Sequence, residues 1–375
     1  MAGLYIHIPF CQSRCIYCDF YSTTLPKTWQ IPYVHALVDE LRMRKEECGE
    51  VETLYIGGGT PSQLTQEALL FLFDGIQKTV PISPSAEITL EANPDDISPE
   101  WVATLKETPV NRVSMGVQSL DDEILHILHR RHTSKQALEA IDLLQKNGYH
   151  NLSIDLIYGL PGQSLEAFSA DVKQILSLNI PHLSAYALQF EQGTKLYEMR
   201  EEGEVKEVDE ELSLSCYERL MDLTAEAGLE HYEISNFAKP GFHSRHNSSY
   251  WTRKPYVGLG AGAHSYDGAR KRSSNKEDLV QYIQYIKEGK LALEEEYLDD
   301  DTLYNEYVML ALRTSEGLYL PEVEVVYSKE RRLYITKAAE RAIKAGWLIK
   351  KADGHLCLTR QGLFVCDSVI TDLMI

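Results

Sequence analysis

One rhythm recurs through the first half of this chain: a short run of β-branched and aromatic residues, a Gly-rich or polar loop, then an amphipathic helical stretch. The strand candidates are Leu4–Ile8, Thr53–Ile56, Glu87–Leu90, Arg112–Met115, Ser153–Ile157 and Leu183–Leu188. Helix-period segments at Tyr33–Glu47, Gln66–Lys78, Ser98–Glu107, Ser134–Asn147 and Ser164–Leu178 lie between them, several opened by a capping Ser or Thr. Alternation of this kind builds a parallel sheet with crossover helices, and six units predict an α/β fold, a partial (β/α)6 barrel. In such a barrel the loops after the strands gather at one face and carry the active site. The unusual residues fall there: three cysteines after strand one, Gly57–Pro61 after strand two, Glu91 at the end of strand three, Gln118 after strand four, and Asp155 within strand five.

Beyond about residue 200 the pattern changes. Asp209–Gly228 reads as one long helix, and Tyr232–Tyr266 is aromatic, His- and Gly-rich, with little helical period. The acidic runs Glu294–Glu296 and Asp299–Asp301 read as a solvated boundary. Helical segments follow, then a hairpin signal (Trp347–Lys350, Asp353-Gly354, Leu356–Thr359) and a final helix from Arg360, which predicts a winged-helix-like module. The expected division is 1–200 for the barrel, 201–292 for an extension of it, and 293–375 for the C-terminal helical module. A DNA-binding winged helix would draw on Arg331-Arg332 and Lys350-Lys351. However, 37 basic against 56 acidic side chains, a net charge of −19, opposes nucleic acid as a partner. No run approaches the roughly 18 apolar residues of a membrane helix. The first ten residues also lack a secretory pattern, so a cytoplasmic location without an integral membrane segment is expected.

Cys11, Cys15 and Cys18 form CxxxCxxC, three soft ligands in one loop. They suit three irons of a [4Fe-4S] cube and leave the fourth without a protein ligand; zinc would need a fourth ligand, for which His7 or Asp19 could serve. Tyr17, just before the last cysteine, places an aromatic ring beside the cluster loop. The glycines of Gly57–Pro61 let backbone approach a ligand, and the Lys-Ser/Thr of a phosphate-binding Walker loop is missing. Of the polar residues near strand ends, a guanidinium (Arg130) suits a carboxylate, while acidic or amide side chains (Glu91, Gln118, Asp155) suit ribose hydroxyls. Cys48, Cys216, Cys357 and Cys366 lack ligand spacing and read as structural thiols.

The segments Tyr5–Cys11, Cys15–Phe20, Gly57–Pro61, Gly116–Gln118 and Asp155–Pro161 resemble the radical S-adenosylmethionine superfamily and, within it, the coproporphyrinogen oxidase-like branch, along nearly the whole chain. The resemblance implies that Cys11, Cys15 and Cys18 bind the cluster and that S-adenosylmethionine chelates its open iron. It also implies that Tyr5, Tyr17, Gly58, Gly59, Thr60, Glu91, Gln118, Arg130 and Asp155 line the nucleotide site, Arg130 facing the carboxylate. The oxidase branch carries a further cysteine two positions after the third and an extension before the first strand. Here Phe20 stands at that position and strand one begins almost at Met1, which points to the heme chaperone (HemW) branch. His246–Trp251 matches the HNxxYW motif of that branch, and imidazole is an axial iron ligand. His246 is therefore the expected heme residue, with His243 and His264 as alternatives; a histidine flanked by Tyr and Trp is otherwise most often a packed, hydrogen-bonded one. The resemblance implies heme and recipient hemoproteins as partners, respiratory enzymes among them, with a homodimer as a candidate assembly. The other reading is an enzyme, a radical decarboxylase of coproporphyrinogen III.

Overall fold

The structure, a computed structural model, describes residues 2–375. Six strands, β1 (Ala2–Ile8), β2 (Val51–Gly58), β3 (Ile82–Ala92), β4 (Arg112–Gln118), β5 (Leu152–Tyr158) and β6 (His182–Ala187), lie side by side in chain order, all parallel. Helices Gln30–Cys48, Gln66–Thr79, Pro99–Leu105, Ser134–Lys146 and Leu165–Ser177 fill the crossovers. The expected partial (β/α)6 barrel is present. Thr65, Ser98, Thr133 and Ser164 each accept a backbone N–H from the first turn of the helix they open, as the capping reading predicts.

The strands alternate in a way that decides where function can sit. Leu4, Ile6 and Ile8 of β1, Leu54 and Ile56 of β2, and Val113, Met115 and Val117 of β4 are buried in one apolar core with the crossover helices. The positions between them are Tyr5 and His7; Thr53, Tyr55 and Gly57; Arg112, Ser114, Gly116 and Gln118. Parallel strands covered by helix on one face and by packed side chains on the other are apolar on both. Here the inner face is polar, so the barrel interior is built to hold something other than its own side chains.

The sheet continues beyond the six strands on both edges. On one side β6 pairs antiparallel with β8 (Asn236–Ala238), which pairs with β7 (Glu230–Glu233). On the other, β9 (Tyr256–Leu259) adds parallel to β1, followed by β10 (His264–Tyr266), β11 (Lys271–Asn275) and β12 (Leu293–Tyr297). Glu294–Glu296, read as a boundary, are solvated but lie in the edge strand β12, where charges discourage further pairing. A second core starts at Tyr304 and joins helices Asp300–Leu312, Lys329–Lys344 and Cys366–Leu373 to a three-stranded sheet that contains the predicted hairpin, Leu348–Lys350 with His355–Leu358. The helix expected from Arg360 is broken into Arg360–Leu363 and Cys366–Leu373. Tyr232–Tyr266 contains a helix its composition did not announce, Arg245–Trp251.

Glu40 and Arg44 look in sequence like a surface i,i+4 pair, yet both are fully buried, at 0% and 1% exposure, on helix Gln30–Cys48. Glu40 accepts from the backbone N–H of Gly260 (2.9 Å), the Asn275 amide (2.8 Å) and the Tyr282 hydroxyl (2.6 Å). Arg44 donates to the Gly258 carbonyl (2.9 Å) and to Ser265 (3.0 Å). The pair clamps β9–β11 against the barrel. Glu40→Ala should therefore destabilise the protein by about 3 kcal/mol, since it leaves the Gly260 N–H, the Asn275 amide and the Tyr282 hydroxyl without their buried acceptor, while Arg44 keeps its pairing with Glu47. Urea titration reads this, and a loss under about 1 kcal/mol, the surface-pair range, would mean the clamp is not structural.

Candidate functional site

At the C-terminal ends of the strands lies a cavity of roughly 480 Å3 that runs down into the polar interior. Cys11, Cys15, Cys18, Tyr17, Gly58, Gly59, Thr60, Glu91, Gln118, Arg130 and Asp155 all line it, so residues from six separate segments meet where the strand order predicts. Tyr5 lies just below, stacked on Tyr55 at 6.3 Å, and its hydroxyl is hydrogen-bonded to His7 Nδ1 (3.0 Å). The other nitrogen of His7 meets the Tyr21 carbonyl (2.8 Å), so His7 is occupied and is not a fourth metal ligand.

The cysteine loop rests against the glycine run. Cys11 Sγ is 3.4 Å from Thr60 Oγ1, and a Cβ on Gly59 would come within 3.0 Å of that sulfur and 2.8 Å of the Pro9 carbonyl. Gly58 adopts φ +111°, and a Cβ there would strike the His7 ring at 2.6 Å. Only glycine lets strand β2 end this close to the thiols. Among the described residues no three His, Cys, Asp or Glu side chains converge on a point where a single ion would sit. The three thiols line one open cavity wall. Burial raises the Cys11 thiol and pushes Cys18 up to about 11. Arg130 Nη1 donates to Cys15 Sγ at 3.3 Å, and Nη2 donates to Asn93 Oδ1 at 2.6 Å and to the Gly116 carbonyl. Arg130 Nε is buried without a partner. The guanidinium thus faces the cluster loop, with two of its five N–H donors, at Nε and Nη1, left for a ligand.

Two carboxyls sit deeper. Glu91 accepts from the Tyr55 hydroxyl (2.7 Å) and the Gly58 N–H (3.0 Å), and burial pushes its pKa up to about 7. Asp155, near Ser114 Oγ (3.4 Å), rises to about 6 for the same reason. Gln118 sits at φ +69° at the end of β4, a left-handed turn that points the chain out of the strand.

The HNxxYW segment is helix Arg245–Trp251, set against the barrel floor. Glu87 caps it, accepting the N–H groups of Arg245 and His246 at 3.0 Å each. His246 is 1% exposed, with Nδ1 on Thr53 Oγ1 (2.9 Å) and Nε2 on the Tyr250 hydroxyl (2.8 Å), and its ring stacks on Tyr55 at 5.1 Å. Burial lowers its pKa to about 3. Both nitrogens are engaged, so in this conformation the expected heme ligand is a packed floor residue rather than an open axial one. His243, 39% exposed and stacked on Tyr232 at 4.1 Å, has its Nε2 on Glu230 Oε2 (2.9 Å); it and the exposed His264 are reachable from outside. Sequence reasoning missed Arg112, Ser114, Asn93, Tyr186 and Asn247 on the cavity wall. For Arg112, Ser114 and Tyr186 the period-2 phase of the strands, extended inward from Gln118 and Asp155, would have found them.

A model of the radical SAM superfamily matches residues 5–175, and one of the HemN C-terminal domain matches residues 298–365. The heme chaperone HemW of Bacillus subtilis (strain 168) is 34% identical over 373 residues, spanning 98% of each chain. That of Escherichia coli (strain K12) is 34% identical, covering 98% of this chain and 97% of its own. That of Lactococcus lactis is 37% identical over 85% of this chain and 83% of its own. The coproporphyrinogen III oxidase HemN from Escherichia coli, a radical SAM enzyme, superposes with a TM-score of 0.86 at 22% identity over 100% of this chain and 90% of that one, a likeness of fold.

The raised Glu91 pKa carries a sign. Its carboxyl holds a proton more tightly folded than unfolded, so stability tied to it falls as pH rises from 4.5 to about 7 and is level above. Glu91→Gln cannot ionise, so its stability relative to wild type should improve across that window in urea titrations at stepped pH. A difference that stays constant there would mean the carboxyl is not desolvated.

Proposed function

This chain belongs to the heme chaperone HemW family, and on that premise we propose that it binds heme and delivers it to recipient hemoproteins from a cytoplasmic, radical-SAM-type barrel. The observation that carries the reading is the joint placement of Cys11, Cys15, Cys18, the Gly58–Thr60 cradle and Arg130 on one cavity wall, in a chain related over its full length to heme chaperones. Among the described residues no helix is long and apolar enough to cross a membrane.

Cys11, Cys15 and Cys18 would hold a [4Fe-4S] cluster, which supplies an open iron position for the amino and carboxylate groups of S-adenosylmethionine. Arg130 sets the charge beside Cys15 and offers Nε to a ligand carboxylate. Gly58 and Gly59 leave backbone room for the ligand, while Tyr17 walls the cluster loop. Glu91 and Asp155 take donors from the nucleoside part, and Gln118 closes the rim. Phe20, 64% exposed at the mouth, presents an apolar surface there.

For heme, the motif helix is the proposed contact region. With His246 sealed, the proposed iron ligand is His243, which would exchange its half-exposed partner Glu230 for iron and whose ring borders a cleft with Arg245, Ser248 and Lys254. The decarboxylase reading is not favoured by the named relatives.

Two outcomes test the proposal. Anaerobic reconstitution should give about four irons and four sulfides per chain, and Ala at Cys11, Cys15 or Cys18 should abolish it. Arg130→Ala should weaken S-adenosylmethionine binding about tenfold in calorimetry. Stoichiometric zinc in native protein, or unchanged ligand affinity, would remove those assignments. Separately, Soret titration should show His243→Ala losing the ferric heme signature, whereas His246→Ala loses thermal stability first. If His246→Ala alone removes the signature with its stability intact, the ligand is His246. Robust formation of protoporphyrinogen from coproporphyrinogen III with indifferent heme binding would instead favour the oxidase.

A further inference from the structure

Arg112 opens β4 at the floor of the barrel with its side chain 1% exposed, and neither Nε nor Nη1 has a hydrogen-bond partner. Its register partner on β3 is Thr89, fully buried, whose Oγ1 is also unpartnered. Two adjacent side chains on the inner face therefore present donors without acceptors, and Arg112 borders the same cavity as Ser114, Asp155 and Asn247. A buried guanidinium cannot shed its proton, and leaving its donors unmade is costly. Several other arginines of this protein meet carboxylates. In the cavity beside the C-terminal module, Arg253, Arg270 and Arg331 are matched by Glu322, Asp300 and Asp301. At the floor, Arg112 pulls the Glu91 and Asp155 carboxyls down against their burial without bonding to either through Nε or Nη1.

We propose that Arg112, assisted by Thr89, anchors a carboxylate of a ligand that enters the barrel from the cysteine-lined mouth. The proposal rests on the heme- and S-adenosylmethionine-binding reading above. Two carboxylates have that chemistry, a propionate of heme and the methionyl carboxylate of S-adenosylmethionine. Arg112 and Gln118 mark the two ends of β4, roughly 20 Å apart for a strand of this length, so a methionyl group held at the mouth by Arg130 leaves the floor anchor free. Asn247, on the motif helix, reaches the same cavity, so the anchor and the motif share one floor.

The test uses the anaerobically reconstituted full chain. Dissociation constants are measured for heme against heme dimethyl ester, and for S-adenosylmethionine against its decarboxylated form. Wild type should prefer the free acid by about tenfold in one of the two pairs, and Arg112→Gln should lose that preference while binding the neutral member as wild type does. Thr89→Val, which removes only a hydroxyl, should cut the same preference about threefold, and Arg112→Lys should keep part of it. These two variants carry the test if Arg112→Gln does not fold. Loss of the heme preference assigns the propionate; loss of the S-adenosylmethionine preference assigns the methionyl group. Wild type that discriminates in neither pair, or Arg112→Gln that keeps both preferences, overturns the proposal and leaves Arg112 a counter-charge for Glu91 and Asp155. Wild type that binds no heme fails the chaperone reading instead, and the floor anchor is then judged on the S-adenosylmethionine pair alone.

Discussion

The buried Glu40–Arg44 pair holds together the two parts of the molecule that function needs joined. A six-stranded parallel sheet leaves β1 as an edge, and an edge strand with unpaired backbone groups is a liability. β9 covers it, but Tyr256–Leu259 is a four-residue strand that adds only Val257 and Leu259 to the core. A carboxylate that accepts from Gly260, Asn275 and Tyr282 and a guanidinium that donates to Gly258 and Ser265, and is paired with Glu40 and Glu47 on its own helix, help to secure it. A pair of this kind adds little stability over a well-packed apolar substitute, but its many directional bonds admit few registers of β9–β11 on the barrel. The Arg245–Trp251 helix sits immediately before β9, so its position inherits that register.

The polar inner face has its own logic. Tyr55, Glu91, Arg112, Asp155 and Ser184 would be expensive in a barrel filled only by its own side chains. Their cost is contained in two ways: neighbours satisfy some of them, as Tyr55 and Gly58 do for Glu91, and others face a cavity. The carboxyls respond by holding protons more tightly than in water, while the guanidinium has no such escape. A charged ligand therefore completes this interior electrostatically as well as sterically.

The floor of that cavity is closed by the motif helix. Tyr5, Tyr55 and His246 form a ring stack beneath the glycine cradle, and Thr53 and Glu87 tether the helix from β2 and β3. The part of the chain expected to meet heme and the part expected to hold S-adenosylmethionine therefore share side chains. Any displacement of the helix must disturb the rings under Glu91 and Gly58, which gives the two sites a physical route of communication through packed groups.

Local pattern was enough for the barrel, the order of its strands and the grouping of the cysteine loop, Gly58–Thr60, Glu91, Gln118, Arg130 and Asp155 at one mouth, because periodicity fixes which face a residue takes and parallel topology fixes which strand ends share an edge. The same pattern made the solvation of Glu294–Glu296 legible but not their strand partner, β11. It could not distinguish Glu40–Arg44 from a surface ion pair, since i,i+4 spacing is identical for both and only the arrival of residues some 220 positions later buries them. His246 carried the strongest short-range signal for an open iron ligand, and its two nitrogens were instead taken by Thr53, nearly 200 residues away, and by Tyr250. Which residues line a face is a property of local sequence; whether a polar atom on that face is free or already bonded is set by segments distant in the chain, and so only the tertiary structure decides it.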